Sequence, residues 1–346
     1  MASTEPGSLI EENVREYYGK TLTTCADLRT NVCKTTCNKH PSHIDEALKL
    51  VHEDVSSRYF GCGSVFPDCL TGASVLDLGC GSGRDSYTLS KLVGESGCVT
   101  GVDMTDEMLQ VANRYVSWHT EKYGYSKPNV RFLKGYIENL ENAGVQPNSY
   151  DIIVSNCVVN LTADKKFVFK EAFRALKVGG ELYFSDMYCD QEVPLHLSRN
   201  QLLWGEGLGG ALYWKNMVEM VRECGFSCPR LVNASNVKIK DEEIQKMLGS
   251  AHYVSATYRL FKLPRDRVKE CVAVYNGKIE GSQKLFSMDH LTNFVAGEAR
   301  EVDCELATIL RLSRFRKYFQ FSPSTGLMHE PDPFKYVNRP PTGSCC

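Results

Sequence analysis

The sequence predicts an α/β fold: a largely parallel sheet covered by helices, followed by a smaller α+β region. Three observations predict it. Short runs rich in Val, Ile, Leu, Tyr and Phe, each bounded by turn residues, recur at 74–78 (SVLDL), 98–103 (CVTGVD), 130–134 (VRFLK), 151–155 (DIIVS) and 181–186 (ELYFSD). Helical patterns separate them at intervals of roughly 25 residues, as right-handed βαβ units require. A glycine-rich loop, Gly79-Cys80-Gly81-Ser82-Gly83, leaves the first strand and opens a helix.

The elements follow in order. Upstream of the sheet, Ile44, Leu48, Val51 and Val55 lie on one face of an amphipathic helix expected over 44–59. It runs into Phe60-Gly61-Cys62-Gly63, a cysteine bracketed by glycines on a loop. The segment 106–123 opens with an acidic first turn and predicts one helix. The segment 164–176 predicts another, with Phe167, Val168, Ala172 and Leu176 on its apolar side and Gly179-Gly180 as its stop. Helix 217–224 stops at Gly225. Beyond about 231 two apolar or alternating runs, 256–263 and 270–275, precede an Asn276-Gly277 turn signal. Four regions are expected: an N-terminal cap with thiol loops (1–70), the sheet domain (71–230), a C-terminal α+β region (231–320) and a flexible, Cys-ended tail (321–346).

Composition narrows the function. Of 346 residues, 42% are apolar and 24% charged, ordinary values for a soluble globular protein with a sizeable core. A formal net charge of −2 provides no basic field for nucleic acid or an anionic membrane. No apolar run approaches the ~20 residues of a membrane span. The acidic N-terminus, with Glu5, Glu11, Glu12 and Glu16, argues against a secretory leader. A cytosolic monomer is expected. The 15 cysteines are an odd count without a secretion signal, hence a poor disulfide framework. Most are expected to be small buried hydrophobes.

The glycine loop implies an adenosine cofactor at the carboxyl edge of the sheet. Gly79, Gly81 and Gly83 permit a sharp turn and a close approach to a ligand. Asp103 ends the second strand 20 residues after Gly83, where an acid can bind ribose hydroxyls. Asp77 stands two residues before Gly79 and would repel a pyrophosphate, whereas it suits a sulfonium carrying an α-ammonium. The loop is also G-x-G-x-G rather than G-x-G-x-x-G. S-adenosylmethionine is therefore the expected cofactor, with no permanent metal. Ile137 is expected to pack on adenine, Glu138 to sit near its exocyclic amine, and Asn156 to lie beside the sulfonium, all at strand ends. Phe60, Cys80 and Met104 complete the expected cofactor site. Asp77 and Glu138 also suit plain structural roles, capping loop amides and starting a helix.

Several thiols fall near the expected methyl donor. Cys157 lies just past the fourth strand, Cys62 on the glycine-bracketed loop, and Cys33 and Cys37 in a C-x-x-x-C spacing that lacks the partner pair of a zinc site. Soft thiolates select thiophilic centres such as trivalent arsenic. RYFGCG (58–63), DLGCGSGRDSY (77–87), VTGVDMT (99–105), GYIENL (135–140), DIIVSNCVVNL (151–161), LKVGGELYFSDMY (176–188), LLWGEGLGGALYWK (202–215) and SATYRLFK (255–262) together resemble, in order, the animal-type arsenite methyltransferase family. The likeness spans roughly residues 10–320. It implies a Rossmann-like class I methyltransferase sheet with an N-terminal helical segment and a small C-terminal α+β region. It also implies stepwise methylation of arsenite to mono- and dimethylated arsenic, and a cysteine relay reset by thioredoxin or glutathione.

By that resemblance Cys33, Cys62 and Cys157 are the catalytic thiols, with As(III) held at Cys62 and Cys157. The family's fourth thiol falls in a W-G-E-C-L-G-G segment that here reads Trp204-Gly205-Glu206-Gly207-Leu208-Gly209-Gly210. Gly207 replaces it, and Cys189, expected on the loop after the fifth strand, is the candidate substitute. Gly207 leaves two further readings open: a methyltransferase of a different small molecule, and a non-catalytic arsenic-binding protein.

Overall fold

A computed structural model describes residues 9–22, 40–198, 200–239 and 241–324. Cys33, Cys37 and most of the expected tail lie outside these residues. Helix α1 (Leu9–Glu16), α2 (Ser42–Lys49) and α3 (Glu53–Ser56) precede the sheet. Then come β1 (Ser74–Leu78), α4 (Arg84–Val93), β2 (Cys98–Asp103), α5 (Asp106–Arg114), α6 (Val116–Tyr123), β3 (Val130–Lys134), β4 (Tyr150–Asn156), α7 (Lys165–Ala175) and β5 (Leu176–Cys189). The short helices α8 (Leu195–Ser198) and α9 (Gln201–Gly205), strand β6 (Leu212–Tyr213) and α10 (Trp214–Glu223) follow. Strand β7 (Arg230–Asn236), α11 (Glu242–Leu248) and β8 (Tyr253–Phe261) complete the main sheet. Among the described residues no helix is long and apolar enough to cross a membrane.

The sheet runs β3-β2-β1-β4-β5-β8-β7, with β6 beside β5. Strands β1 to β5 are parallel, while β8 is antiparallel to both β5 and β7. Strand β1 is buried from Val75 to Leu78 and β4 from Ile152 to Ser155, because helices cover both faces of the parallel core. The order reverses between β1 and β4, which opens a crevice at their carboxyl ends.

The structure redraws four expected elements. The helix expected over 44–59 breaks into α2 and α3 at residues 50–52, and the helix expected over 106–123 breaks into α5 and α6 at Tyr115. The two breaks lie against each other. The His52 ring stacks on Tyr115 at 3.9 Å, the His52 N–H donates to His119 Nε2 at 3.2 Å, and the Tyr115 hydroxyl donates to Asp54. Helix α7 ends at Ala175 and passes directly into β5, with no glycine stop, and β5 extends beyond the expected 181–186 at both ends. The boundary drawn at 230/231 falls inside β7, and β7 and β8 belong to the main sheet.

Downstream, β9 (Cys271–Tyr275), β10 (Leu285–Ser287), β11 (Asn293–Val295), β12 (Ala299–Val302), α12 (Cys304–Leu312) and β13 (Phe319–Pro323) build a second unit. Its core contains Tyr275, Phe286, Phe294, Phe315 and Phe319. It is joined to the sheet by buried charge. Glu181 of β5 meets Arg259 of β8 at 2.5 Å and Arg314, from the turn after α12, at 2.5 Å. Burial opposes the Glu181 charge, but the two guanidiniums hold its carboxyl below the usual range.

Candidate functional site

The loop after β1 forms the floor of a pocket at the switch point. Asp103, at the end of β2, accepts the Gly81 N–H and the Thr105 N–H, each at 2.8 Å, and so fixes the glycine loop against β2. Asp77 is buried in β1 and accepts the Ser86 hydroxyl at 2.5 Å. The pocket is lined by Phe60, Asp77, Gly79, Cys80, Gly81, Asp103, Met104, Ile137, Glu138 and Asn156, all expected cofactor residues. Gly83 is not on the lining. It takes a left-handed φ of 91° at the start of α4, where a side chain would press on Phe132 and Tyr87. The sequence did not single out Glu11 and Val14 of α1, or Tyr59 and Arg84, which also line the pocket. The Arg84 guanidinium lies 3.8 Å over the Tyr59 ring and pairs with Asp85 at 2.9 Å.

The charge of this pocket selects its ligand. Burial, then the neighbouring Asp85 charge, push the Asp77 carboxyl well above the usual range, and the Ser86 hydrogen bond opposes them. Burial also raises Asp103, against the amides it accepts, and raises Glu138 to about 7. Of the three, only Glu138 faces a cation, Lys165, which partly offsets its burial. A sulfonium bearing an α-ammonium supplies a positive partner, whereas a pyrophosphate would add like charge. Burial drives the Cys80 thiol well above its ordinary range, so it lines the pocket as a neutral group.

A second site adjoins this one. Cys157 follows β4, lines the pocket, and adopts a left-handed φ of 56°. Its sulfur forms a disulfide with Cys62, with a Cα–Cα distance of 5.7 Å. Asn156 anchors the Cys62 loop. Its Oδ1 accepts the Cys62 N–H at 3.0 Å and the Gly63 N–H at 3.1 Å, while Nδ2 faces the Tyr59 hydroxyl at 2.8 Å, the Gly63 carbonyl at 3.0 Å and Asp85 at 2.9 Å. Its amide is thus committed to the loop. The glycine brackets have a steric cause: a side chain at Gly63 would collide with Ser185, and one at Gly61 with Tyr59 and Asn156.

Cys62, Cys157 and Asp186 form a group whose sulfur and oxygen atoms lie within 4.8 Å of one another. Asp186, which sequence reading used only as a strand end, is the member of this group it missed. Cys189 is not in this group. Its buried thiol is directed to Asp190 and Tyr253. The expected strand end at 186 would have put Cys189 on a loop; β5 instead continues to Cys189, which packs in the same buried cluster as Cys62 and Met187. Gly207 has a φ of 76°, and a side chain there would meet the terminal methyl of Met187.

Comparison with known proteins decides the family. Residues 70–225 match the family described as methyltransferase domain, and residues 268–341 the arsenite methyltransferase C-terminal domain. The arsenite methyltransferase of Mus musculus is 47% identical, over 100% of this chain and 98% of its own. The chain belongs to the arsenite methyltransferase family. The arsenite methyltransferase of Homo sapiens is 50% identical, over 91% of this chain and 84% of its own. The crystal structure of an arsenic(III) S-adenosylmethionine methyltransferase from Chlamydomonas reinhardtii superposes with a TM-score of 0.79 at 39% identity, covering 84% of this chain and 98% of that one. This methyltransferase therefore has the class I fold and uses S-adenosylmethionine, in agreement with the charge of its pocket.

Proposed function

We propose that the enzyme methylates trivalent arsenic held by Cys62 and Cys157, with Cys33 as the third thiol of the relay. The observation that supports this is the adjacency of the two sulfurs at the edge of the donor pocket, which Cys157 itself lines. Asp77, Asp103, Ile137 and Glu138 hold the donor, and Asn156 holds the Cys62 loop against it. Bound there, the donor supplies an electrophilic methyl group, and the C–S bonding pair stays on its sulfur as the carbon bonds to the arsenic lone pair. The chain need provide no strong base for this step, because arsenic attacks through a lone pair it already has. Its contribution is positioning. Methylation leaves arsenic formally pentavalent. Two thiols return two electrons to it and close as a disulfide, the state in which Cys62 and Cys157 stand here. Thioredoxin or glutathione then resets the pair, and arsenite proceeds to mono- and dimethylated products.

The test is Cys157→Ser, assayed with arsenite, labelled S-adenosylmethionine and a thiol reductant. Methylated arsenic is lost while S-adenosylmethionine affinity stays within about threefold of wild type. Retained turnover removes Cys157 from the reaction. Gly207 favours a second reading, a methyltransferase of another small thiophile: donor consumption that does not depend on arsenite would support it.

A further inference from the structure

We propose that Asp186 is a positioning residue for the first methylation, accepting a hydrogen bond from the hydroxyl that remains on arsenic once Cys62 and Cys157 have bound it. This rests on the arsenic reading above and extends it to a residue outside the thiol set. Trivalent arsenic makes three bonds. Arsenous acid reacts with the two thiols by exchanging two of its hydroxyls: As(OH)3 plus two S–H groups yields two As–S bonds, one As–OH and two waters. Among the described residues no third thiol joins the Cys62–Cys157 group, and the third member is the Asp186 carboxylate, within 4.8 Å of both sulfurs. At Gly207, where the family carries another thiol, there is no side chain.

The surroundings hold few acceptors: besides Asp186, the buried Ser185 hydroxyl lies 3.9 Å from the Cys62 sulfur. Cys62, and partly Cys157, pack in an apolar cluster with Met187, Leu203 and Leu208. A hydroxyl buried there without a partner is costly. Asp186 is itself buried, and its two oxygens are fixed from behind: Oδ1 accepts the Met187 N–H at 2.8 Å and Oδ2 the Asn160 N–H at 3.1 Å. The Val159 N–H also bears on the carboxylate, and three N–H donors leave about one of its four lone-pair sites for the arsenic hydroxyl. Two As–S bonds alone leave the arsenic free to swing on the sulfurs; tying down the third substituent fixes the lone pair that must meet the methyl group.

The chemistry makes this contact specific to one substrate. Methylarsonous acid, CH3As(OH)2, loses both hydroxyls to the two thiols and presents no O–H to Asp186. A merely structural role for Asp186 would affect both arsenicals alike. The experiment compares kcat/KM for arsenite and for methylarsonous acid in wild type, Asp186→Asn and Asp186→Ser, after reduction by a phosphine. S-adenosylmethionine affinity and melting temperature serve as folding controls. The ratio of the two constants shifts against arsenite in both variants, by about tenfold to a hundredfold in Asp186→Ser, the effect of losing a hydrogen bond to a charged group, and by less in Asp186→Asn, whose amide oxygen still accepts but carries no charge. An unchanged ratio overturns the proposal, whether both constants fall together or neither falls. If wild type turns over neither arsenical, it is the arsenic reading that fails. Should both variants unfold, arsenic X-ray absorption on reduced wild type in thiol-free buffer decides: two sulfurs and one oxygen around arsenic are expected, and three sulfurs would overturn it.

Discussion

Asn156→Ala should loosen the Cys62–Cys157 disulfide without touching either sulfur. The Asn156 amide makes every one of its contacts to the Cys62 loop or to Asp85, and none to a sulfur. Truncation leaves the Cys62 and Gly63 N–H groups without their acceptor in a half-buried site, at about 1–2 kcal/mol each. The closed loop then loses about 2–4 kcal/mol relative to open conformations. At about 1.4 kcal/mol per decade, the effective concentration of the Cys62 thiol at Cys157 falls by about 30-fold to 1,000-fold. The assay equilibrates the protein in mixtures of reduced and oxidised glutathione, traps free thiols by alkylation, and quantifies the peptides carrying Cys62 and Cys157 by mass spectrometry. The midpoint should move toward more oxidising mixtures by that factor. A midpoint within about threefold of wild type would refute the assignment of Asn156 as the anchor of the loop.

Three further outcomes follow from the same geometry. Gly207→Cys forces an L side chain onto a φ of 76° and displaces the Met187 methyl, so it should cost about 1–2 kcal/mol of stability in denaturant unfolding. Glu181→Gln leaves Arg259 and Arg314 without their shared carboxylate and should cost about 3–5 kcal/mol, read by the same unfolding. Glu138 gives a pH signature: burial raises its folded carboxyl from 4.5 to about 7, so the folded protein binds a proton that the unfolded chain has released. Its contribution to stability therefore falls as pH rises through that window, and Glu138→Gln should flatten the fall in thermal unfolding measured from pH 4.5 to 7.

Much of the sheet was legible because its strands are short apolar runs closed by turn residues, a signal carried within each segment. Strands β1, β2 and β3 have the boundaries the sequence implied. Helix continuity was not legible at His52 and Tyr115, where the two breaks meet through a ring contact between residues far apart in the chain. Alternation in 256–263 announced a strand but not its partners, and only pairing with β5 assigns β8 to the main sheet. In the site, the glycines around Cys62 and the position of Cys157 after β4 pointed to two thiols that the fold does bring together. Asp186 went unread as a site residue because an acid at a strand end carries no local mark of what another loop places beside it. Cys189 was expected on a loop for a related reason, since nothing local shows that β5 runs on to residue 189.

The central claim is that Cys62 and Cys157 present arsenic to the methyl donor. A crystal structure of the reduced enzyme with arsenite and S-adenosylhomocysteine, phased on arsenic anomalous scattering, tests it directly. One arsenic peak should lie between the Cys62 and Cys157 sulfurs, facing the sulfur of the bound nucleoside. A peak bound to other cysteines, with this pair empty, would contradict the account.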